Sequence, residues 1–144
     1  MIIFSRFFDS ADRKQRLSHA KALMELAAAD GHVDDTEIDV ITEVGLRIGL
    51  TDEDIRRLIK HPESIDFKMP EDADQRLLLL YDYVRVMHAD GVIDPEELVF
   101  CHKTVVKLGF PEEKAEVLIA LLSDGVATAK DMDALLAQAK QLIA

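Results

Sequence analysis

Two short stretches of this chain concentrate side chains able to hold a cation. The first is Asp30-Gly31-His32-Val33-Asp34-Asp35-Thr36-Glu37. The second, Asp90-Gly91-Val92-Ile93-Asp94-Pro95-Glu96-Glu97, follows 60 residues later, with Asp, Gly, an aliphatic residue, Asp and Glu at the same offsets. Several carboxylate oxygens from one short loop are a common donor set for a hard divalent cation. Asp30, Asp34 and Glu37, with Asp90, Asp94 and Glu97, are therefore candidate metal ligands, and all-oxygen donors favour Ca²⁺, Mg²⁺ or Mn²⁺. One loop falls short of the ~6–8 oxygens that tight Ca²⁺ binding wants, so the reading requires the two loops to converge. The spacing equals the second half of an EF-hand loop. The positions that would supply the first ligands of such a loop are Leu26 and Ala28, or Val86 and His88, so neither stretch is an EF-hand.

The same residues have a second reading as helix punctuation. Asp34 with Glu37, and Asp94 with Glu97, have the spacing of capping boxes, and Pro95 stands at the favoured first helical position. Val33 with Ile38, and Ile93 with Leu98, have the spacing of hydrophobic staples. Gly31 and Gly91 suit the residue just past a helix end. Asp30 and Asp90 fit this scheme worst. Each falls where a preceding helix should end, and the dipole there disfavours negative charge by about 0.3–1 kcal/mol.

Other chemistry is sparse. His32 and His88 lie in or beside the loops and could add nitrogen ligands, but neither recurs in the other copy. His19, His61 and His102 have no evident partners in the sequence. Glu-x-x-His pairs, His-Glu-x-x-His, Walker A, Gly-x-Gly-x-x-Gly and Gly-x-Ser-x-Gly are all absent. The single cysteine, Cys101, reads as a small buried hydrophobe, and no intramolecular disulfide is possible.

Composition narrows the partners. The chain has 144 residues, 49% hydrophobic and 31% charged, with a net charge of −11. That is a globular composition whose charge disfavours nucleic acid and favours divalent cations and basic protein surfaces. Met1-Ile2-Ile3-Phe4 is too short for a signal-peptide core, and no run approaches the ~18 apolar residues of a membrane span. The expectation is a soluble, cytoplasmic protein.

Helical periodicity supplies the elements that must carry the loops. A first helix over about 11–30, capped by Ser10, bears Leu17, Ala20, Leu23, Met24, Ala27 and Ala28. A second runs from Asp34 to about 48 with Ile38, Ile41, Val44 (or Gly45) and Ile48. A short third helix, capped by Thr51, buries Ile55, Leu58 and Ile59. Residues 61–70 read as a loop pinned by Ile65 and Phe67. Helix four, about 71–90, bears Leu77, Leu80, Tyr81, Val84 and Met87, and helix five, about 95–108, bears Leu98, Cys101, Val105 and Leu108. Helix six, about 112–123, carries Ala115, Leu118, Ile119 and Leu122 and ends at Ser123-Asp124-Gly125. Thr128 is the expected cap of a closing helix over about 129–143, with Met132, Leu135, Leu136, Ala139 and Leu142. The apolar N-terminal residues Ile2, Ile3, Phe4, Phe7 and Phe8 read as an arm docked on the domain. Ile48-Gly49-Leu50 returns as Leu108-Gly109-Phe110 at the same 60-residue offset. The expected fold is all-α: one domain over 1–144, about seven helices, and two pseudo-repeated helical hairpins (about 11–60 and 71–123) sharing one core.

The motif resembles that of the TerB-like (tellurite-resistance TerB) family. Ala-Ala-Ala-Asp-Gly-x-x-Asp-x-x-Glu at 27–37 and Ala-Asp-Gly-x-x-Asp-x-x-Glu at 89–97 carry the resemblance, which runs from about residue 14 to the last helix. It implies an all-helical domain of paired hairpins. It also implies a metal cluster at Asp30, Asp34, Glu37, Asp90, Asp94 and Glu97, and a setting of tellurite or chemical stress with membrane-associated partners. From residues and resemblance together, the expectation is a non-enzymatic divalent-metal-binding domain. The alternative is a protein-interaction module whose acidic motifs are only caps.

Overall fold

Two helices that the sequence presents as one-sided are buried over most of their circumference. A computed structural model describes residues 4–6, 8–9, 11–29, 31, 33–89, 91, 93 and 95–144, with Ser5 by its backbone alone. In it α1 (Arg13–Ala27) and α4 (Ala73–Met87) pack against each other at the centre. Helix α4 buries Gln75, Leu77 through Val84, Val86 and Met87, leaving Arg76 and Arg85 at its edges. Helix α1 buries Ser18, His19, Ala22 and Leu26 beyond the apolar stripe expected of it, while Ala28 is exposed. A helix apolar on most sides belongs inside a bundle rather than on its surface.

Around this pair lie α2 (Asp35–Arg47), α3 (Asp52–Lys60), α5 (Pro95–Lys107), α6 (Ala115–Ala127) and α7 (Met132–Leu142). Three short 3-10 turns complete the described secondary structure, and no strand occurs among the described residues. The fold is all-α, as the periodicity indicated. Both halves contribute to one apolar cluster, with Leu23, Leu26, Ile41 and Leu58 from the first and Leu77–Leu80, Cys101, Leu118 and Leu122 from the second. No helix among the described residues is long and apolar enough to cross a membrane.

The element bounds keep a 60-residue offset. Helices α1 and α4 begin at 13 and 73, α2 and α5 at 35 and 95, and α3 and the turn leading into α6 at 52 and 112. Turn chemistry follows the same offset. Helix α2 ends in a Schellman turn, Leu50 N–H to Gly45 O and Gly49 N–H to Leu46 O, and α5 ends likewise through Phe110 to Val105 and Gly109 to Val106. Gly49 and Gly109 take φ of +96° and +88°, which an L side chain adopts only at a cost.

Several local expectations are corrected. Asp12, not Ser10, caps α1, in a capping box with Gln15, and Ser10 itself lies outside the described residues. Helix α6 continues through Gly125 to Ala127, and Thr128 is its C-cap, its hydroxyl donating to Asp124 O. The cap of α7 is therefore Asp131, which accepts from Ala134 N. Helices α1 and α4 end at Ala27 and Met87, with Ala28 and His88 as C-caps, so Gly31 and Gly91 stand beyond the first residue after the cap. Ile59 and Leu98, expected in the core, are 37% and 41% exposed. The N-terminal arm docks in part: Phe4 and Phe8 are buried, while Ile2, Ile3 and Phe7 lie outside the described residues. The 61–70 connection is pinned by buried Ile65, half-buried Phe67, and Ser18, whose hydroxyl donates to Lys68 O and accepts from Lys68 N.

Candidate functional site

The first acidic loop leaves α1 through Ala28 and re-enters helix at Asp35. Gly31 N–H donates to Ala28 O at 2.9 Å, and the second loop repeats this from Gly91 to His88 O at 3.1 Å. Asp34 then caps α2. Its Oδ1 accepts from Glu37 N at 2.9 Å and from the Thr36 hydroxyl at 2.7 Å, while Glu37 Oε1 accepts from Asp34 N at 3.2 Å. The capping box read from the sequence is thus formed in the first loop. Glu37 is buried, and so is Glu97 at the matching position in α5. Asp30, Asp90 and Asp94 lie outside the described residues, as does His32. Among the described residues no group of three or more His, Cys, Asp and Glu side chains is close enough to hold a metal ion.

Residues bracketing both loops meet. Ala29, which precedes Asp30, lines a cavity of about 410 Å³ together with Pro95 and Glu96, which follow Asp94. Val99, Phe100 and Lys103 of α5 complete its wall. His88, two residues before Asp90, holds its Nε2 buried with no hydrogen-bond partner among the described residues. The two hydrophobic staples differ. Val33 and Ile38 are half-buried against the core, whereas Ile93 and Leu98 are 39% and 41% exposed.

A second polar centre went unread in the sequence. His19, passed over there as lacking a partner, places Nε2 2.7 Å from Asp82 Oδ2, and both side chains are completely buried. Arg47 reaches in from the surface to the same oxygen at 2.8 Å. Burial pushes the Asp82 carboxyl up, but the His19 hydrogen bond and the Arg47 charge outweigh it and hold the group below the ordinary carboxylate range. The Phe8 and His19 rings pack in a T-shaped arrangement at a centroid distance of 4.9 Å, so the N-terminal arm covers this centre. The available signal was Asp82 itself, an acid inside the apolar run Leu77–Val84. Cys101 is buried as expected, its thiol pushed up to about 12 by desolvation, which makes it inert.

An arginine pair also escaped notice. Arg16 directs Nη1 toward Gly49 O at 3.5 Å and Nη2 to Phe8 O at 3.1 Å. Arg76, 60 residues on, directs Nη1 toward Leu108 O at 3.5 Å and Nε to Pro70 O at 2.7 Å. Each brings positive charge to the C-terminal turn of α2 or α5, where the helix dipole favours it. The signal was Asp12-x-x-Gln15-Arg16-Leu17 returning as Asp72-x-x-Gln75-Arg76-Leu77.

Against known proteins, the family described as Tellurite resistance protein TerB matches residues 1–60. No curated protein and no solved structure matches the chain. The matched stretch contains the whole first acidic loop and stops before the second. The match supports a TerB-like assignment for the first 60 residues of the chain.

Proposed function

We propose that the chain is a non-enzymatic, divalent-cation-binding domain in which two copies of one acidic loop share a site. The proposed donors are Asp30, Asp34, Glu37, Asp90, Asp94 and Glu97, acting in a tellurite or chemical-stress setting. The observation that supports this reading is that Ala29, the neighbour of Asp30 in the sequence, lines the same cavity as Pro95 and Glu96, which follow Asp94. Capping and ligation are compatible. A carboxylate has two oxygens and about four lone-pair sites, so a capping bond does not by itself exclude ligation. The oxygen donor set favours Ca²⁺, Mg²⁺ or Mn²⁺, and recruitment of His88 would move the preference toward a transition metal. Burial of Glu37 and Glu97 at matching positions is in keeping with an internal duplication of the loop and its following helix.

The second reading, a protein-interaction module for a basic or membrane-associated partner, has its own observation. The Asp34–Glu37 capping box is complete, so those two acids have a structural use without a metal.

Titration calorimetry of metal-stripped protein with Ca²⁺, Mg²⁺, Mn²⁺ and Zn²⁺ separates the two. The expected outcome is saturable heat from at least one ion, lost in the Asp30→Asn, Asp90→Asn double variant. An ion at 100 times its Kd should stabilise the wild type by about 2.7 kcal/mol. Absence of heat from all four ions, with melting unchanged by chelator, would overturn the metal reading and leave the caps-only account.

A further inference from the structure

The outer face of α5 carries apolar side chains that the fold does not require. Val99 is 56% exposed, Val106 41%, Leu98 41% and, in the preceding loop, Ile93 39%. Clustered exposed apolar residues mark interaction surfaces more often than chance, unlike scattered ones. The first half provides an internal control. At the register of Val99, α2 has the exposed acid Asp39, and at that of Lys103 it has Glu43. The same backbone therefore tolerates charge at these positions, and packing does not account for Val99. Val99 and Phe100 form one wall of the 410 Å³ groove whose other side is Ala29, with Glu96 at the loop end and Lys103 two turns along.

We propose that this groove docks an amphipathic helix of a partner protein. The apolar stripe of that helix lies on Val99, Phe100 and Ala29, a cationic end sits at Glu96, and a carboxylate meets Lys103. Charge complementarity selects this occupant. The chain carries −11 overall, and Glu96 belongs to the second acidic stretch in the sequence, so a partner with positive charge at that end is favoured. Between Glu97 and Glu112 the chain has no acid, and Lys103 faces the groove, so the far end takes the opposite sign. A helix lying in an apolar groove through residues at i, i+3/i+4 and i+7 is a common recognition mode. A cationic C-terminus with an acidic N-terminus also suits the partner's own dipole.

The probe is a synthetic Leu/Ala amphipathic helix with glutamates at its N-terminus and lysines at its C-terminus, read by fluorescence anisotropy. A scrambled peptide of identical composition is the control. All titrations are run in chelator, so the result does not depend on whether the loops bind metal. Expected are saturable binding of the amphipathic peptide, about tenfold weaker binding by Val99→Glu and by Lys103→Glu, and no change in Val117→Glu, a substitution at a 51% exposed site on α6. Circular dichroism should show Val99→Glu folded, as Asp39 at the equivalent place implies, and Lys103→Ala is a second variant that keeps the test open. Equal binding of the scrambled peptide, or an equal loss in Val117→Glu, overturns the proposal. So does sedimentation showing a wild-type dimer that Val99→Glu abolishes, which would assign the groove to a second copy.

Discussion

The two halves of this chain share element bounds and turn geometry yet differ in their buried polar positions on α1 and α4 and in the outer faces of α2 and α5. Helices α1 and α4 cover equivalent residues, but His19 of α1 stands where α4 has Leu79, and Asp82 of α4 stands where α1 has Ala22. One member of each pair is polar and fully buried while its counterpart is apolar. The outer faces diverge in the opposite sense, Asp39 and Glu43 on α2 against Val99 and Lys103 on α5. A position whose counterpart has different chemistry at the same place in the fold is free of the fold's demand, so its identity reports a separate constraint.

The largest test of that contrast concerns the buried polar centre. Asp82→Ala leaves His19 buried without its partner and should cost about 3–5 kcal/mol in urea denaturation, the usual consequence of breaking a buried pair from one side. Installing the other half's residues together, His19→Leu with Asp82→Ala, should recover most of that loss, because buried ion pairs are often replaceable by apolar side chains at little net cost. A double variant as unstable as the single would show that the centre is required by the fold.

The paired glycine turns sharpen the comparison at a smaller scale. Each of Gly49→Ala and Gly109→Ala should cost about 1–2 kcal/mol from positive φ alone. An added Cβ at Gly49 would lie 2.9 Å from Arg16 Nη1, against 3.5 Å between Gly109 and Arg76 Nη1, so the first-half variant should be the less stable of the two. Equal midpoints would mean that the Arg16 clamp yields without cost.

The smallest effect is a pH dependence confined to the first half. Arg13 donates from Nε to Asp54 Oδ1 at 3.0 Å, and this bond holds the Asp54 carboxyl below its ordinary value, with Thr51 bonds assisting and burial opposing. A depressed folded-state value means that the stabilisation is fully present above the unfolded carboxylate pKa of about 3.9 and is lost as pH falls through the folded value. The counterpart of Asp54 in the second half is Lys114, which cannot share this behaviour. Asp54→Asn should therefore lower stability near neutrality and flatten the profile below about pH 4, where the wild type loses the same contribution. An unchanged acid limb would remove Asp54 from the account.

The sequence by itself determined the helices, their 60-residue spacing and the glycine turns, because these follow from local periodicity and backbone preference. It also determined the Asp34 cap and the burial of Cys101. What it placed poorly were helix starts with competing caps, as at Ser10 and Asp12 or Thr128 and Asp131, where several short polar residues can all accept an N–H bond and only the tertiary path selects one. Tertiary structure alone decided that α1 and α4 are central, since an apolar stripe does not show how many neighbours will cover a helix. It alone brought His19, Asp82 and Arg47 to one point from three helices, a juxtaposition with no sequence spacing. It also decided that Ala29 and Pro95, more than 60 residues apart, wall the same cavity. The physical reason is common to all of these: local chemistry specifies the backbone of each element, but which faces meet is settled by packing them together.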